Sequence, residues 1–154
     1  MYLGIIIYRT LADALKIHFN KGKVIVLLGP RQVGKTTLLR ECLDEKELLF
    51  LDGDDPEVRS LLLNAGKSKL QAIIGKYKWV FIDETQRITD VGLIGKIITD
   101  QFKDVQLIIS CSSALEINQS TQEPLQVASM NTICFPSAGK NLKTMWVTWK
   151  HPLK

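Results

Sequence analysis

The stretch "GPRQVGKTTLL", Gly29–Leu39, decides the fold of this 154-residue chain. From Gly29 to Thr36 it spells G-x-x-x-x-G-K-[ST], the pattern of a loop that cradles phosphate. "KVIVLL" (23–28) runs into it as a continuous apolar segment, the mark of a strand covered on both faces in a parallel sheet. A helix is predicted to leave it, from about Lys35 to Asp44. Each residue type has a physical task. Gly29 and Gly34 permit backbone conformations that other residues resist. The loop N–H groups then converge as an anion nest, and the positive end of the helix adds to it. Lys35 is placed to reach the β- and γ-phosphates, and the Thr36 hydroxyl to ligate Mg2+. Pro30, Arg31, Gln32, Val33 and Thr37 complete the expected binding stretch, with Arg31 facing a phosphate or a neighbouring acid.

Outward from the loop, strands and helices alternate. Residues 9–20 carry Leu11, Leu15 and Phe19 at helical spacing. "MYLGIIIYR" before them has no basic segment and no cleavage site, so it is expected to be a strand or arm rather than a signal peptide. "ELLFLD" (47–52), "KWVFID" (78–83) and "VQLIIS" (105–110) are predicted strands. "DDPEVRSLLLNAG" (54–66) is predicted as a helix capped by Asp54 or Asp55, with Pro56 in its first turn and Gly66 ending it. "SKLQAIIGK" (68–76) and "DVGLIGKIITDQF" (90–102) are predicted helices, the second weakened by its glycines. The sum is an α/β doubly wound architecture.

The strand 78–83 ends in Asp83 and Glu84. Ligands of parallel sheets bind at the carboxyl ends of strands, so both acids are expected beside the phosphate loop. Asp83 is assigned to Mg2+, and Glu84 to orienting the water that attacks the γ-phosphate. Ser110, at the end of the fourth strand, is followed by Ser112 and Ser113, and Ser110 is a candidate to touch the γ-phosphate or that water. "DGDDPE" (52–57) lacks the spacing of a calcium loop, and Asp54 and Asp55 are taken as helix caps. Gln86 and Arg87 fall on the turn after the acidic pair.

Composition fits one globular domain: 45% hydrophobic and 23% charged residues, with no apolar run long enough to span a membrane. Cys42, Cys111 and Cys134 are far apart, with no Cys/His cluster, so thiols in a reducing cytoplasm are expected and a structural metal is not. The net charge of +4 is unevenly spread. Every acid lies at or before Glu123, while residues 126–154 hold Lys140, Lys143, Lys150 and Lys154 and no acid.

"GKVIVLLGPRQVGKTTLL", "LDGDDPEVRSLL", "VFIDETQRI" and "LIISCSSALEI" resemble, in order and spacing, the AAA-like ATPases of bacteria and archaea that carry the GPRQVGKTT loop. The resemblance runs from about Leu3 to Leu125. It implies a P-loop NTPase three-layer sandwich with sheet order 5-1-4-3-2, ATP with Mg2+, a cytoplasmic setting, and a longer parent with a nuclease-like C-terminal domain. It places the Walker A motif on Gly29–Thr37, Walker B on Asp83 and Glu84, and the sensor strand on Ser110–Ser112. Cys111 departs from the family's glycine, which strains the turn if a positive φ is needed there.

Residues 126–154 lack the Gly-Arg-x-x-Glu stretch and the following strand that the resemblance leads one to expect. Shifted one base, the permitted codons of this segment include "TGRKYEYNLFPVSWEEFENHVGYLE", which restores both. The division is therefore an AAA-like ATPase domain over 1–125, incomplete, and a basic, poorly ordered, out-of-frame tail over 126–154. Without the family's next strand, 23–28 is expected to be an exposed apolar edge, with "NTICFPS" (131–137) a poor substitute because of Pro136. The leading functional expectation for the parent family is Mg2+-dependent ATP hydrolysis, with self-association of the parent protein; for this chain itself, binding without turnover ranks first, because the C-terminal part is lost. The alternatives are a nucleotide-binding remnant without turnover, and a nucleic-acid-binding module that uses the basic tail.

Overall fold

Successive side chains of a strand point to opposite faces, and here both faces are covered. The computed structural model describes residues 12–13, 15–112, 130–134 and 146–147. Its strands are β1 (Val24–Leu28), β2 (Leu48–Asp52), β3 (Trp79–Asp83), β4 (Gln106–Cys111), β5 (Met130–Cys134) and β6 (Trp146–Val147). They form one sheet in the order β2-β3-β4-β1-β5-β6. All pairings are parallel except that of β5 with β6. The helices are α1 (Lys35–Cys42), α2 (Pro56–Leu62), α3 (Lys67–Ile74) and α4 (Val91–Gln101), with helical residues 12–13 and 15–18 ahead of β1.

Alternation along the strands divides the core in two. Val24, Val26, Val80, Ile82, Leu107 and Ile109 meet Leu62 of α2, Leu70 and Ile74 of α3, and Val91, Ile94 and Ile98 of α4. Ile25, Leu27, Phe81 and Ile108 face the other way, onto Leu38 and Leu39 of α1 and onto Leu15. Phe19 closes that face against Trp79, ring centroids 4.9 Å apart. Each wholly buried aliphatic or aromatic side chain contributes about 1.5–3 kcal/mol relative to exposure. The result is the expected three-layer α/β sandwich, and its central order β5-β1-β4-β3-β2 is the expected one.

Three local expectations change. The predicted bare edge at β1 is not found: Met130–Cys134 lies alongside in register from Val24↔Met130 to Leu28↔Cys134. Edge N–H and C=O groups need partners, and any extended backbone supplies them whatever its side chains. Pro136, which follows Cys134, the last residue of β5, lies outside the described residues. Gly66 does not end α2, which stops at Leu62; it is the N-cap of α3. Cys111 is buried inside β4, opposite Leu28, and is not among the positive-φ residues, so no turn is strained by it. Leu11, Ser113 and residues 1–10 lie outside the described residues. No helix among the described residues is long and apolar enough to cross a membrane.

Candidate nucleotide site

The loop between β1 and α1 is shaped by two left-handed residues, Gln32 (φ 62) and Gly34 (φ 89); Gly29 is buried and has no positive φ. Gly34 is also the N-cap of α1, so the turn that only glycine adopts freely delivers the helix N-terminus to the loop. Lys35 is 5% exposed. A buried ammonium requires acceptors, and the loop supplies them: Lys35 Nζ donates to the carbonyls of Gly29 (2.6 Å) and Pro30 (3.0 Å). Val33 packs toward the core beneath α1, while Pro30, Arg31, Gln32 and Thr37 are exposed around the loop.

The pairing of β1 with β4 and of β4 with β3 brings the end of β3 to this loop. Thr36 Oγ1 donates to Asp83 Oδ2 at 2.9 Å. The other carboxylate oxygen of Asp83 accepts from Ser110 Oγ of β4 and from the Glu84 N–H (3.0 Å). Thr85 Oγ1 donates to the Ser110 carbonyl at 2.8 Å, pinning the following turn to β4. Ser110 is wholly buried and its hydroxyl is spent on Asp83 and on the Glu84 N–H (3.3 Å). It therefore orients the acid pair from beneath.

Glu84 stands in the left-handed region (φ 48, ψ 47), a conformation that costs a non-glycine residue about 1–3 kcal/mol. This bend takes Glu84 out of the strand direction. Its carboxylate receives Gln86 Nε2 and lies 3.4 Å from Arg31 Nε of the glycine loop. Gln86 Oε1 is buried with no hydrogen-bond partner among the described residues. Gln32 through Thr37, with Asp83 and Glu84, line a cavity of about 200 Å³.

The loop after β2 braces this arrangement. Gly53 N–H donates to the Asp83 carbonyl at 2.9 Å. A Cβ on Gly53 would lie 2.6 Å from the Glu84 carbonyl oxygen, so only glycine fits. Asp54 pairs with Arg31 (3.2 Å) and Arg87 (3.4 Å), while Asp55 caps α2 through the Glu57 N–H (2.8 Å). Arg59 donates to the carbonyls of Gly53 and Asp54. In the sequence Asp54 and Asp55 read as caps alone and Gly53 carries no task, although a glycine directly after a predicted strand is a signal of close backbone approach.

The donor set suits Mg2+. A hydroxyl and a carboxylate, both hard oxygen donors, meet at the loop, and among the described residues no group of three or more His, Cys, Asp or Glu gathers as a protein-only metal cage. Mg2+ is commonly held by one or two protein oxygens together with substrate phosphates.

A protein-family model described as an AAA domain matches residues 21–138. Uncharacterized proteins of Mycobacterium bovis and Mycobacterium tuberculosis are each 30% identical over 93 residues, 60% of this chain. The chain covers 20% of each of those curated relatives. Among solved structures, a chain of Drosophila ORC bound to DNA superposes with a TM-score of 0.58 at 14% identity, covering 90% of this chain and 95% of that one. A chain of Drosophila ORC bound to AT-rich DNA and Cdc6 gives 0.55 at 16%, covering 81% and 52%. At such identities the likeness is one of fold.

Proposed function

The chain belongs to the AAA-domain family, and from that premise we propose that it binds ATP with Mg2+ and hydrolyses the γ-phosphate. The observation that carries this reading is the 2.9 Å hydrogen bond between Thr36 Oγ1 and Asp83 Oδ2, which joins the glycine loop to the acid pair. Thr36 and Asp83 would hold Mg2+, which when bound would neutralise phosphate charge. Lys35 exchanges its loop carbonyls for the β- and γ-phosphate oxygens. The loop N–H groups and the α1 N-terminus bind the remaining phosphate charge. Glu84 accepts a hydrogen of the attacking water and aims its oxygen at the γ-phosphorus. Ser110 and the Gly53 backbone keep the two acids in place. ATP and Mg2+ of the cytoplasm supply such a site.

A second reading, nucleotide binding without turnover, is favoured by one observation: Glu84 is engaged by Arg31 and Gln86. Equilibrium binding of ATP to the full chain and to Lys35→Ala tests the shared premise. The substitution is expected to weaken ATP at least about 100-fold, because it leaves a buried phosphate site without its cation. Equal affinity overturns the loop assignment.

A further inference from the structure

Arg31 is the side chain of the glycine loop whose task phosphate binding leaves open. It is 48% accessible yet tied on both sides: Nε lies 3.4 Å from Glu84 Oε2, and Nη2 lies 3.2 Å from Asp54 Oδ1. Arg87 Nε reaches that same Asp54 oxygen at 3.4 Å. Charges thus alternate, Glu84–Arg31–Asp54–Arg87, across the loops that follow β1, β2 and β3.

The network is arranged so that Arg31 can leave it. Glu84 Oε2 also accepts from Gln86 Nε2, so the carboxylate stays held when the guanidinium departs. Asp54 retains Arg87. Exposed ion pairs of this kind are weak. A terminal phosphate offers denser negative charge than one carboxylate, in a geometry that matches the guanidinium fork. A water-orienting carboxylate stands next to the phosphorus that its water attacks, so a cation 3.4 Å from that carboxylate is one side-chain swing from the γ-phosphate.

We propose that Arg31 is a catalytic residue supplied by the chain itself. With ATP bound, its guanidinium passes from Glu84 to the γ-phosphate oxygens. There it stabilises the charge that builds as the water oxygen bonds to phosphorus and the bond to the β–γ bridging oxygen breaks. The bond's electron pair leaves with ADP. The water's proton passes to Glu84 or to the phosphate product, and the arginine stays protonated throughout. The same movement opens an acceptor position for the water on Glu84 Oε2, beside the Gln86 Nε2 that still donates to it. The inference rests on the reading of Glu84 given under Proposed function, and it places in the glycine loop a charge that a second subunit would otherwise have to bring.

The test is single-turnover ATP hydrolysis by the full chain and by Arg31→Ala, Arg31→Lys, Asp54→Asn and Glu84→Gln, with ATP affinity and trapping of ADP by aluminium fluoride measured alongside. Arg31→Ala is expected to slow turnover at saturating ATP at least about 100-fold, to weaken ATP affinity by a smaller factor of about tenfold or less through the lost phosphate contact, and to lose trapping of the fluoride complex. Arg31→Lys restores part of the rate, Asp54→Asn stays within about threefold of the parent, and the parent rate per molecule is independent of protein concentration. Arg31→Ala turnover at the parent rate, with Glu84→Gln inactive, overturns this proposal and leaves the role of Glu84 standing. A loss in Asp54→Asn as large as that in Arg31→Ala also overturns it, because Arg31 then only braces the loops. A normal rate in Glu84→Gln, or no phosphate release by the parent chain, overturns the underlying reading instead.

Discussion

Gly53→Ala is the substitution through which the fold speaks most directly to the site. The added Cβ would stand 2.6 Å from the Glu84 carbonyl oxygen and 2.7 Å from that of Asp83. Carbon and oxygen settle no closer than about 3.3 Å, so these carbonyls must retreat by roughly 0.6–0.7 Å. Both are backbone atoms and have no alternative rotamer. The same movement stretches the 2.9 Å bond from Gly53 N–H to the Asp83 carbonyl. Overpacking of this kind costs about 1–3 kcal/mol, and the reduced freedom of the unfolded chain returns about 0.5 kcal/mol. A net loss of about 1.5 kcal/mol, at a urea slope of about 2 kcal/mol/M, lowers the unfolding midpoint by about 0.8 M. Displacing Glu84 by that distance slows hydrolysis about 10- to 100-fold, while ATP affinity holds because Lys35 bonds to a different loop. Urea unfolding and phosphate release, measured on the same preparation, read the two effects. A midpoint and a rate both within error of the parent refute the close approach of Gly53 to the acid pair.

Other sites respond to different physics. Gln106, 5% exposed, accepts from the Asn20 N–H (3.0 Å) and donates to the carbonyl of Lys23 (2.6 Å); Gln106→Ala strands both groups and is expected to cost about 1–3 kcal/mol by urea unfolding. Gly66 caps α3 at φ −78 and ψ 179 with no side-chain bond and nothing within 4 Å of a new Cβ, so Gly66→Ser gains a few tenths of a kcal/mol, read as a small rise in midpoint. Burial pushes the Cys42 thiol up, outweighing the opposing pull of Lys16, so less of it is thiolate at pH 8 and mass-mapped alkylation there runs slower than in a small free thiol, converging as pH rises.

Much of this was written in the chain's local pattern. The runs 24–28, 79–83 and 106–111 are legible because a strand buried on both faces needs no polar alternation. The glycine loop is legible because its φ demands and its cation leave few alternatives. What local pattern hides is set by distant neighbours. A glycine after a helix reads as a stop, yet Gly66 starts the next helix because α2 has already ended at Leu62. Gln106 reads as an ordinary polar residue, and its worth appears only when β4 lies beside β1 and meets Asn20 and Lys23. Arg31 offered a phosphate or an acid, and its two acids come from the ends of other strands. β5 falls largely within the stretch 131–137 that offered itself as a substitute strand, and it pairs with β1 from Met130 to Cys134.

The central claim is that the acid beside the glycine loop directs water at a bound nucleotide. Phosphate release from ATP by the full chain and by Glu84→Gln, at matched nucleotide occupancy and saturating Mg2+, tests it most directly. The account predicts release by the parent chain, and a variant that holds ATP as tightly while releasing phosphate at least about 100-fold more slowly. Equal rates in the two proteins contradict it.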